Sequence, residues 1–278
     1  MIDDLLEVYR RACLTRAFEL QVKKAVEAGR IKVPVYLCVG QEFVSAALSV
    51  AVQNYKVFGQ HRCHGLYLAF GGDPAQLRDE LLSLPTGCAG GMAGSNAIQG
   101  KDVDGRFNGM FGHSGLVGEQ VPIACGFALA SGHPTLTVFG DAAVEEDYFA
   151  PALGFAATHK LPVLFICEDN NLSILTKTEV RRSWSVVSVA SGYGIHAFAC
   201  EDDPLQIFDV LRTAVGFLPA LVNIKTTRHL WHAGTGNDGG WRFDRMESVF
   251  NFLASRGHGA DALAIDEDAQ ASMETLWK

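Results

Sequence analysis

The sequence lacks three features that would each indicate a particular class of protein. Its net charge is -8, and no run of lysine or arginine residues forms a basic stripe that could neutralise several phosphates of a duplex. Its seven cysteines include no Cys-x-x-Cys pair, which favours reduced, buried thiols over disulfides. No apolar run could span a bilayer, and the first residues lack the basic start of a signal peptide. We therefore expect a cytoplasmic protein that binds neither nucleic acid nor membrane.

The first third of the chain has the pattern of packed helices. Apolar residues recur at helical spacing from residue 3 to residue 29, a second helix is predicted at 41–54, and another follows His61. Asp73 and Pro74 supply a cap and an N1 proline before an apolar run. We therefore predict a helical N-terminal segment over about residues 1–84.

After Leu116 the pattern changes to short apolar runs that alternate with helical segments. Strands are predicted at 135–139, 162–167, 195–200 and 220–226, and helices at 149–159, 205–217, 245–255 and 266–277. Such alternation predicts an α/β fold, a parallel sheet with right-handed crossovers that is flanked by helices. Because there is no internal repeat or obvious linker, we expect one domain over residues 1–278.

A glycine-rich stretch joins these two parts, between Pro85 and Gly118. Backbone rather than side chain dominates such a surface, so a ligand can approach the main chain closely. The glycines named for this stretch are Gly87, Gly90, Gly91, Gly94, Gly105, Gly109, Gly112 and Gly115.

Polar residues follow two consecutive predicted strands. Asp141 comes directly after one of them, and Asn170 comes after the next. Ligands of an open parallel sheet bind beyond the carboxyl ends of the strands, and oxygen ligands of low charge suit Mg2+ bridged to a diphosphate. Either residue alone could equally cap a helix or stabilise a turn. The combination is more specific than either residue.

That combination, Gly140-Asp141 followed by Asn170-Asn171, resembles the thiamine-diphosphate motif. The stretch 139–176 is similar to the same region in alpha subunits of pyruvate, branched-chain 2-oxo acid and acetoin dehydrogenases. Gln60 to Gly65 is similar to the family's Tyr-Arg-x-His-Gly element, and Gly115 to Pro122 looks like its aminopyrimidine-binding loop. The resemblance covers nearly the whole chain and implies a thiamine-diphosphate-binding fold.

The resemblance also implies roles for individual residues. Asp141 and Asn170 would ligate Mg2+ through their side chains and Leu172 through its carbonyl, while Arg62 would hold the diphosphate. The implied catalytic residues are His232, His64 and Arg228, and the implied cofactor-binding residues are His61, Arg62, Gly115, Val117, Asp141, Ala142, Ala143, Asn170 and His232.

From the residues alone, purely structural roles stay open for several of these positions. Arg62 could form a surface ion pair, the loop after Gly115 could start a helix, and His232 could be structural. Zinc at His61 and His64 is disfavoured, since no second ligand cluster lies at a recognised spacing.

The implied activity is cleavage of a 2-oxo acid, or of a ketose-like donor, with transfer of the acyl or aldehyde unit to a lipoyl or other carrier or acceptor. The sequence contains no second parallel-sheet domain to bind the pyrimidine ring. The resemblance therefore implies a beta subunit carrying that domain in an alpha2-beta2 heterotetramer, with a lipoyl domain or acyl carrier protein as acceptor. A transketolase-type N-terminal subunit and a non-catalytic scaffold subunit are the alternatives. Nicotinamide binding is disfavoured because no Gly-x-Gly-x-x-Gly follows a strand.

The sequence departs from the family pattern at five positions: His61, Ala142, Leu172, Trp231 and Ala233. Ala233 replaces a serine through which kinases regulate some relatives, so we expect that control to be absent. Trp231 replaces a small glycine and would reshape the entrance for the acceptor. These departures predict a specialised relative that passes a two-carbon or acyl unit to a carrier protein or another carbonyl.

Overall fold

A computed structural model describes residues 1–52, 54–100, 110–111, 115–237 and 243–278. Within those ranges a six-stranded parallel sheet is flanked by helices and preceded by a helical N-terminal segment, as predicted. Three of the glycines named above, Gly105, Gly109 and Gly112, lie outside the described residues. No helix of the described ranges is both long enough and apolar enough to cross a membrane.

The N-terminal segment consists of four helices and one short strand. The helices are α1 (Ile2–Glu27), α2 (Glu42–Ala51), α3 (His64–Ala69) and α4 (Pro74–Leu81). As predicted, Asp73 caps α4: its carboxylate accepts a hydrogen bond of 2.8 Å from the backbone N–H of Ala75. Strand β1 (Lys56–Phe58) was not predicted, because three residues are too few to display a period.

Besides β1, the sheet contains β2 (Met110–Phe111), β3 (Thr135–Gly140), β4 (Val163–Asp169), β7 (His196–Glu201) and β8 (Ala220–Lys225). A separate hairpin consists of β5 (Leu172–Ser173) and β6 (Thr176–Lys177). The strands of the sheet have the order β2-β1-β3-β4-β8-β7. From β1 the chain passes to β2 on one side and then to β3 on the other. The strand order therefore reverses between β1 and β3, where open α/β sheets form a crevice.

The remaining helices cover the sheet and close the chain. They are α5 (Gln120–Ser131), α6 (Phe149–His159), α7 (Thr178–Arg181), α8 (Val186–Gly192), α9 (Pro204–Ala214), α10 (Arg245–Ser255) and α11 (Gly259–Trp277). Helices α6 and α10 have the predicted bounds. Helix α11 begins at Gly259 rather than at residue 266, because Ala262 and Ile265 also face the core and extend the buried stripe.

Two apolar cores lie on opposite faces of the sheet, since alternate side chains of a strand point to opposite sides. Leu136 and Ile166 contribute to the core formed with α1, α2, α9, α10 and α11. Phe139 and Phe165 contribute to the core formed with α5, α6 and α8. Burial on both faces explains why these strands are almost continuously apolar. In β4 the charged residues, Glu168 and Asp169, come only at the carboxyl end of the strand.

Candidate active site

A cavity of about 270 Å³ lies at the carboxyl ends of β1, β3, β4 and β8. This is the edge at which the sequence places the candidate site. The predicted site residues that line the cavity are His61, Arg62, Val117, Asp141, Ala142, Ala143, Asn170, Leu172, Arg228 and His232. The fold therefore brings together residues from five parts of the chain: four follow β1, β3, β4 and β8, and the fifth precedes α5.

Local geometry explains how β3 and β4 present their polar residues. A Cβ atom at Gly140 would lie 3.2 Å from Oε1 of Gln60, so the chain passes close to its neighbour before Asp141. After β4, the amide oxygen of Asn170 accepts a hydrogen bond of 3.0 Å from the backbone N–H of Leu172. Asn171, between them, has a φ of 62°, which asparagine tolerates better than most residues. The sharp turn keeps Asn170 and Leu172 at the cavity.

Asp141 is a buried carboxylate with cationic and neutral partners. Its Oδ2 atom accepts a hydrogen bond of 3.0 Å from the hydroxyl of Thr178 and forms an ion pair with Arg181. Burial raises the pKa of Asp141, nearby Asp169 adds to that effect, and Arg181 opposes it. No described residue bonds to Oδ1 of Asp141, so this oxygen can take a further cationic partner.

Arg62 is a buried cation held by the backbone. Its Nη1 donates to the carbonyl of Leu37 at 2.6 Å, and its Nη2 donates to the carbonyl of His232 at 3.0 Å. Burial lowers its pKa to about 10, Arg228 acts in the same direction, and Glu168 opposes both. The guanidinium therefore stays charged near neutral pH and offers its remaining donors in a fixed direction.

Two histidines and a tyrosine form an aromatic cluster at the cavity. The ring centroids of His61 and His232 lie 5.4 Å apart. The ring of Tyr36 meets both edge to face, with centroids 4.9 Å from His61 and 5.6 Å from His232. Edge-to-face contacts restrict ring orientation, so Tyr36 helps to set the direction of both imidazoles.

Several residues at this site were not predicted individually. Glu168 is buried at the end of β4, accepts a hydrogen bond from Gln60, and has its pKa raised to about 7, chiefly by burial. Gln120 lines the cavity, and its Oε1 is buried with no hydrogen-bond partner among the described residues. Arg181 belongs to none of the sequence motifs described above. Glu168 was the one accessible to sequence reasoning, since it directly precedes the Asp169-Asn170 pair.

Two predicted site residues do not line the cavity. His64 was expected to face the reacting centre, but its ring is fully buried between Glu19 and Ser95. That expected position is wrong because α3 begins at His64 and turns its side chain into the core. Gly115 has a φ of 95°, and a Cβ atom there would lie 2.7 Å from Nδ2 of Asn96. Gly115 therefore permits a close backbone approach beside the cavity.

We expect acid to destabilise the fold through His229, which is buried behind Gly40. Burial lowers the pKa of His229, so the folded protein keeps the ring neutral. Below about pH 6.5 the unfolded chain takes up a proton that the folded chain excludes, and the free energy of unfolding falls by up to about 1.4 kcal/mol per pH unit. Urea unfolding of wild type and of His229→Gln from about pH 7.5 to about pH 5.5 measures this slope. The exposed His133→Gln is the control, and equal slopes for wild type and His229→Gln would contradict the expectation.

Comparison with known proteins agrees with this arrangement. The model of the dehydrogenase E1 component family matches residues 9–239. The pyruvate dehydrogenase E1 component subunit alpha of Zymomonas mobilis is 30% identical over 297 residues, covering 98% of this chain and 82% of the relative. The alpha subunit of acetoin:2,6-dichlorophenolindophenol oxidoreductase of Cupriavidus necator is also 30% identical, covering 83% of this chain and 72% of that protein.

A solved structure has the same fold at much lower identity. Transketolase from Leishmania mexicana superposes with a TM-score of 0.61 at 16% identity, covering 98% of this chain and 46% of that chain. At this identity the likeness concerns the fold alone, and the chain spans less than half of the transketolase. The family match and the Zymomonas relative go further. The chain belongs to the dehydrogenase E1 component family.

Proposed function

We propose that this chain is the alpha subunit of a thiamine-diphosphate enzyme that decarboxylates a 2-oxo acid and passes the acyl unit to a lipoyl group or another carrier. The observation that carries the proposal is the cavity itself. Asp141, Asn170 and Leu172, which each carry an oxygen ligand suited to a cation, line it together with the cationic residues Arg62 and Arg228. Such a wall has the complementary charges for a divalent cation bridged to a diphosphate.

The donor set fits Mg2+ in particular. Magnesium binds oxygen ligands in octahedral geometry and commonly combines one or two protein groups with phosphate oxygens and water. Asp141 would supply a carboxylate oxygen, Asn170 its amide oxygen and Leu172 its carbonyl. No group of three or more His, Cys, Asp or Glu side chains among the described residues forms a metal site of another kind. The chain would thus hold the cation through three oxygen atoms, and phosphate oxygens and water would supply the other ligands.

The loop before α5 fits an aromatic ring with amino groups. Gly118 has a φ of 84°, and a Cβ atom there would lie 3.3 Å from Ala143, so backbone forms this wall. The buried Oε1 of Gln120 is an acceptor without a donor among the described residues. An amino group of the pyrimidine ring would supply that donor, since buried acceptors are rarely left unpaired.

When bound, thiamine diphosphate supplies a C2 carbanion that attacks the substrate carbonyl and a thiazolium ring that accepts the electrons left by carbon dioxide. The chain's own residues would orient this chemistry. Arg62 Nη2 lies 3.5 Å from Nδ1 of His232, and a guanidinium has only donors. This favours the His232 tautomer with its proton on Nε2, which leaves Nε2 as a hydrogen-bond donor for a developing negative charge on the substrate oxygen.

The proposed site needs a partner. The pyrimidine-binding domain would come from a beta subunit in an alpha2-beta2 heterotetramer, since the two relatives named above are alpha subunits. Two apolar side chains at the cavity, Val117 and Ile174, are 41% and 59% exposed. Exposed apolar residues at the edge of a polar cavity are typical of an interface. A beta subunit would cover them and exclude water from the site.

Calorimetric titration of thiamine diphosphate with Mg2+ tests the proposal. We expect weak binding to this chain alone, much tighter binding after a beta subunit is added, and loss of binding in Asp141→Ala. Loss of an outer-shell partner already weakens metal sites about 10- to 100-fold, so loss of the carboxylate should weaken binding at least as much. Asp209→Ala, at an exposed position of α9, is the control. If wild type binds no cofactor with or without the partner, the proposal fails and the scaffold alternative stands.

A further inference from the structure

A short segment of irregular backbone, residues 35–38, connects the N-terminal helices to the cavity; we name it the positioning segment. None of its residues belongs to a helix or strand, so its backbone groups must find other partners. The carbonyl of Leu37 accepts a hydrogen bond of 2.6 Å from Arg62, and the carbonyl of Val35 accepts one of 2.8 Å from the backbone N–H of Gly234. The segment therefore holds both Arg62 and the loop that carries His232.

Tyr36 is the side chain of this segment that reaches the cavity residues. Its ring contacts His61 and His232 edge to face, as described above. A displacement of Tyr36 would change the packing of both imidazoles at once. The position of Tyr36 thus matters more for the cavity than its own moderate burial suggests.

A buried chain of hydrogen bonds anchors Tyr36. Its backbone N–H donates to Oγ of Ser95 at 3.0 Å, and that Oγ lies 2.9 Å from Nε2 of His64. Nδ1 of His64 lies 2.8 Å from Oε1 of Glu19. Because Oγ of Ser95 already accepts from Tyr36, its own proton is best donated to Nε2 of His64. The imidazole proton then lies on Nδ1 and is donated to Glu19, so every donor in the chain points the same way.

A serine, a histidine and a carboxylate in this order also form the constellation of a nucleophilic triad. Here that reading fails, because Glu19 and His64 have no exposed surface and Ser95 is 1% exposed. No substrate can reach the hydroxyl. The constellation must act on other parts of the protein.

We propose that Glu19, His64 and Ser95 form a positioning chain that fixes Tyr36 and, through its ring, the orientation of His61 and His232. Only the expected effect of this positioning chain on catalytic turnover rests on the proposed function. Burying the carboxylate of Glu19 costs free energy, and its Oε2 has no hydrogen-bond partner among the described residues. Sequences retain such locally unfavourable features mainly where a functional site needs support.

Spectra of the free protein test the proposal without any cofactor. In protein labelled with isotopes at its nine histidines, the signals of His61 and His232 are assigned from His61→Gln and His232→Gln. Both imidazoles feel the ring current of Tyr36, so Ser95→Ala should shift both signals. Ser95→Thr keeps the hydroxyl and should restore them. Ser49→Ala removes another buried serine, one bonded within α2 at Ala46, and is the matched control.

Turnover with a beta subunit gives the second readout. Misplacement of a reacting group by about 1 Å can cost up to about 100-fold in rate, so Ser95→Ala should lower kcat by about 10- to 100-fold, with a smaller change in KM. If wild type with its partner is inactive, the proposed function fails, whereas the spectra still test the positioning chain.

Signals of His61 and His232 that move no more in Ser95→Ala than in Ser49→Ala would overturn the positioning chain. If Ser95→Ala does not fold, Glu19→Gln replaces it, because the amide has the size of the carboxylate but, being neutral, is a weaker acceptor for Nδ1 of His64. That variant should shift the same two signals. Unchanged signals there would also overturn the proposal.

Discussion

His232→Ala is expected to lower kcat of the enzyme reconstituted with its beta subunit by about 10²- to 10³-fold, the range for loss of a hydrogen-bond donor that stabilises developing negative charge. His232 lines the cavity, and Arg62 favours the tautomer in which Nε2 carries the proton. Arg62 also donates a hydrogen bond to the backbone carbonyl of His232. That bond would survive the substitution because it does not involve the side chain. The dissociation constant of the cofactor should therefore change far less than kcat does.

Steady-state kinetics with a 2-oxo acid and calorimetry with the cofactor separate these two effects. His133→Ala is the control, because His133 is exposed just before β3, at the opposite edge of the sheet. A fall in kcat of less than about threefold would remove His232 from the mechanism, since such a hydrogen-bond donor contributes far more. A parallel loss of cofactor binding would instead assign His232 mainly to binding.

Glu80→Gln is expected to lower the free energy of unfolding by about 3 kcal/mol or more, because hydrogen bonds to a charged group contribute about 1.5 to 3 kcal/mol each. The fully buried carboxylate of Glu80 accepts four backbone N–H groups. These come from Ala89 at 2.7 Å, Gly91 at 2.8 Å, Ala93 at 2.7 Å and Gly94 at 3.2 Å. A glutamine would turn an NH2 group toward two of those donors. Both would lose their acceptor and meet another donor.

Urea unfolding monitored by circular dichroism measures this loss. Glu267→Gln, the same change at an exposed position of α11, is the control and should alter stability little. The four bonds organise the backbone immediately before Ser95. A destabilisation no larger than that of Glu267→Gln would mean that the glycine-rich loop holds its shape without Glu80.

The candidate site was predictable where it depends on strand ends. Asp141 and Asn170 follow apolar runs long enough to be recognised as strands, and parallel strands bring their carboxyl ends to one edge. Their meeting at one cavity therefore follows from the pattern and from the topology of the sheet. Arg62 was found through a resemblance, since β1 before it is too short to display a period.

The positioning chain was not predictable in the same way. Glu19 and Ser95 lie in a helix and a glycine-rich loop that no local pattern connects, and His64 looked like an active-site residue because it follows Arg62 so closely. Arg62 and His64 are close in the sequence, which suggests that they share a site. A helical turn separates them, so Arg62 reaches the cavity whereas His64 enters the core. Only the packing of α1 against α3 reveals the partner of His64.

The side chains of the cavity come from strand ends that are far apart in the chain, from Arg62 to His232. No local fragment of the unfolded chain can hold them near one another, so the cavity has no early precursor and forms only when the non-local strand pairs are complete. A ligand that binds there can recognise the folded state alone. Its binding would therefore stabilise the folded state by an amount that grows with the concentration of the ligand.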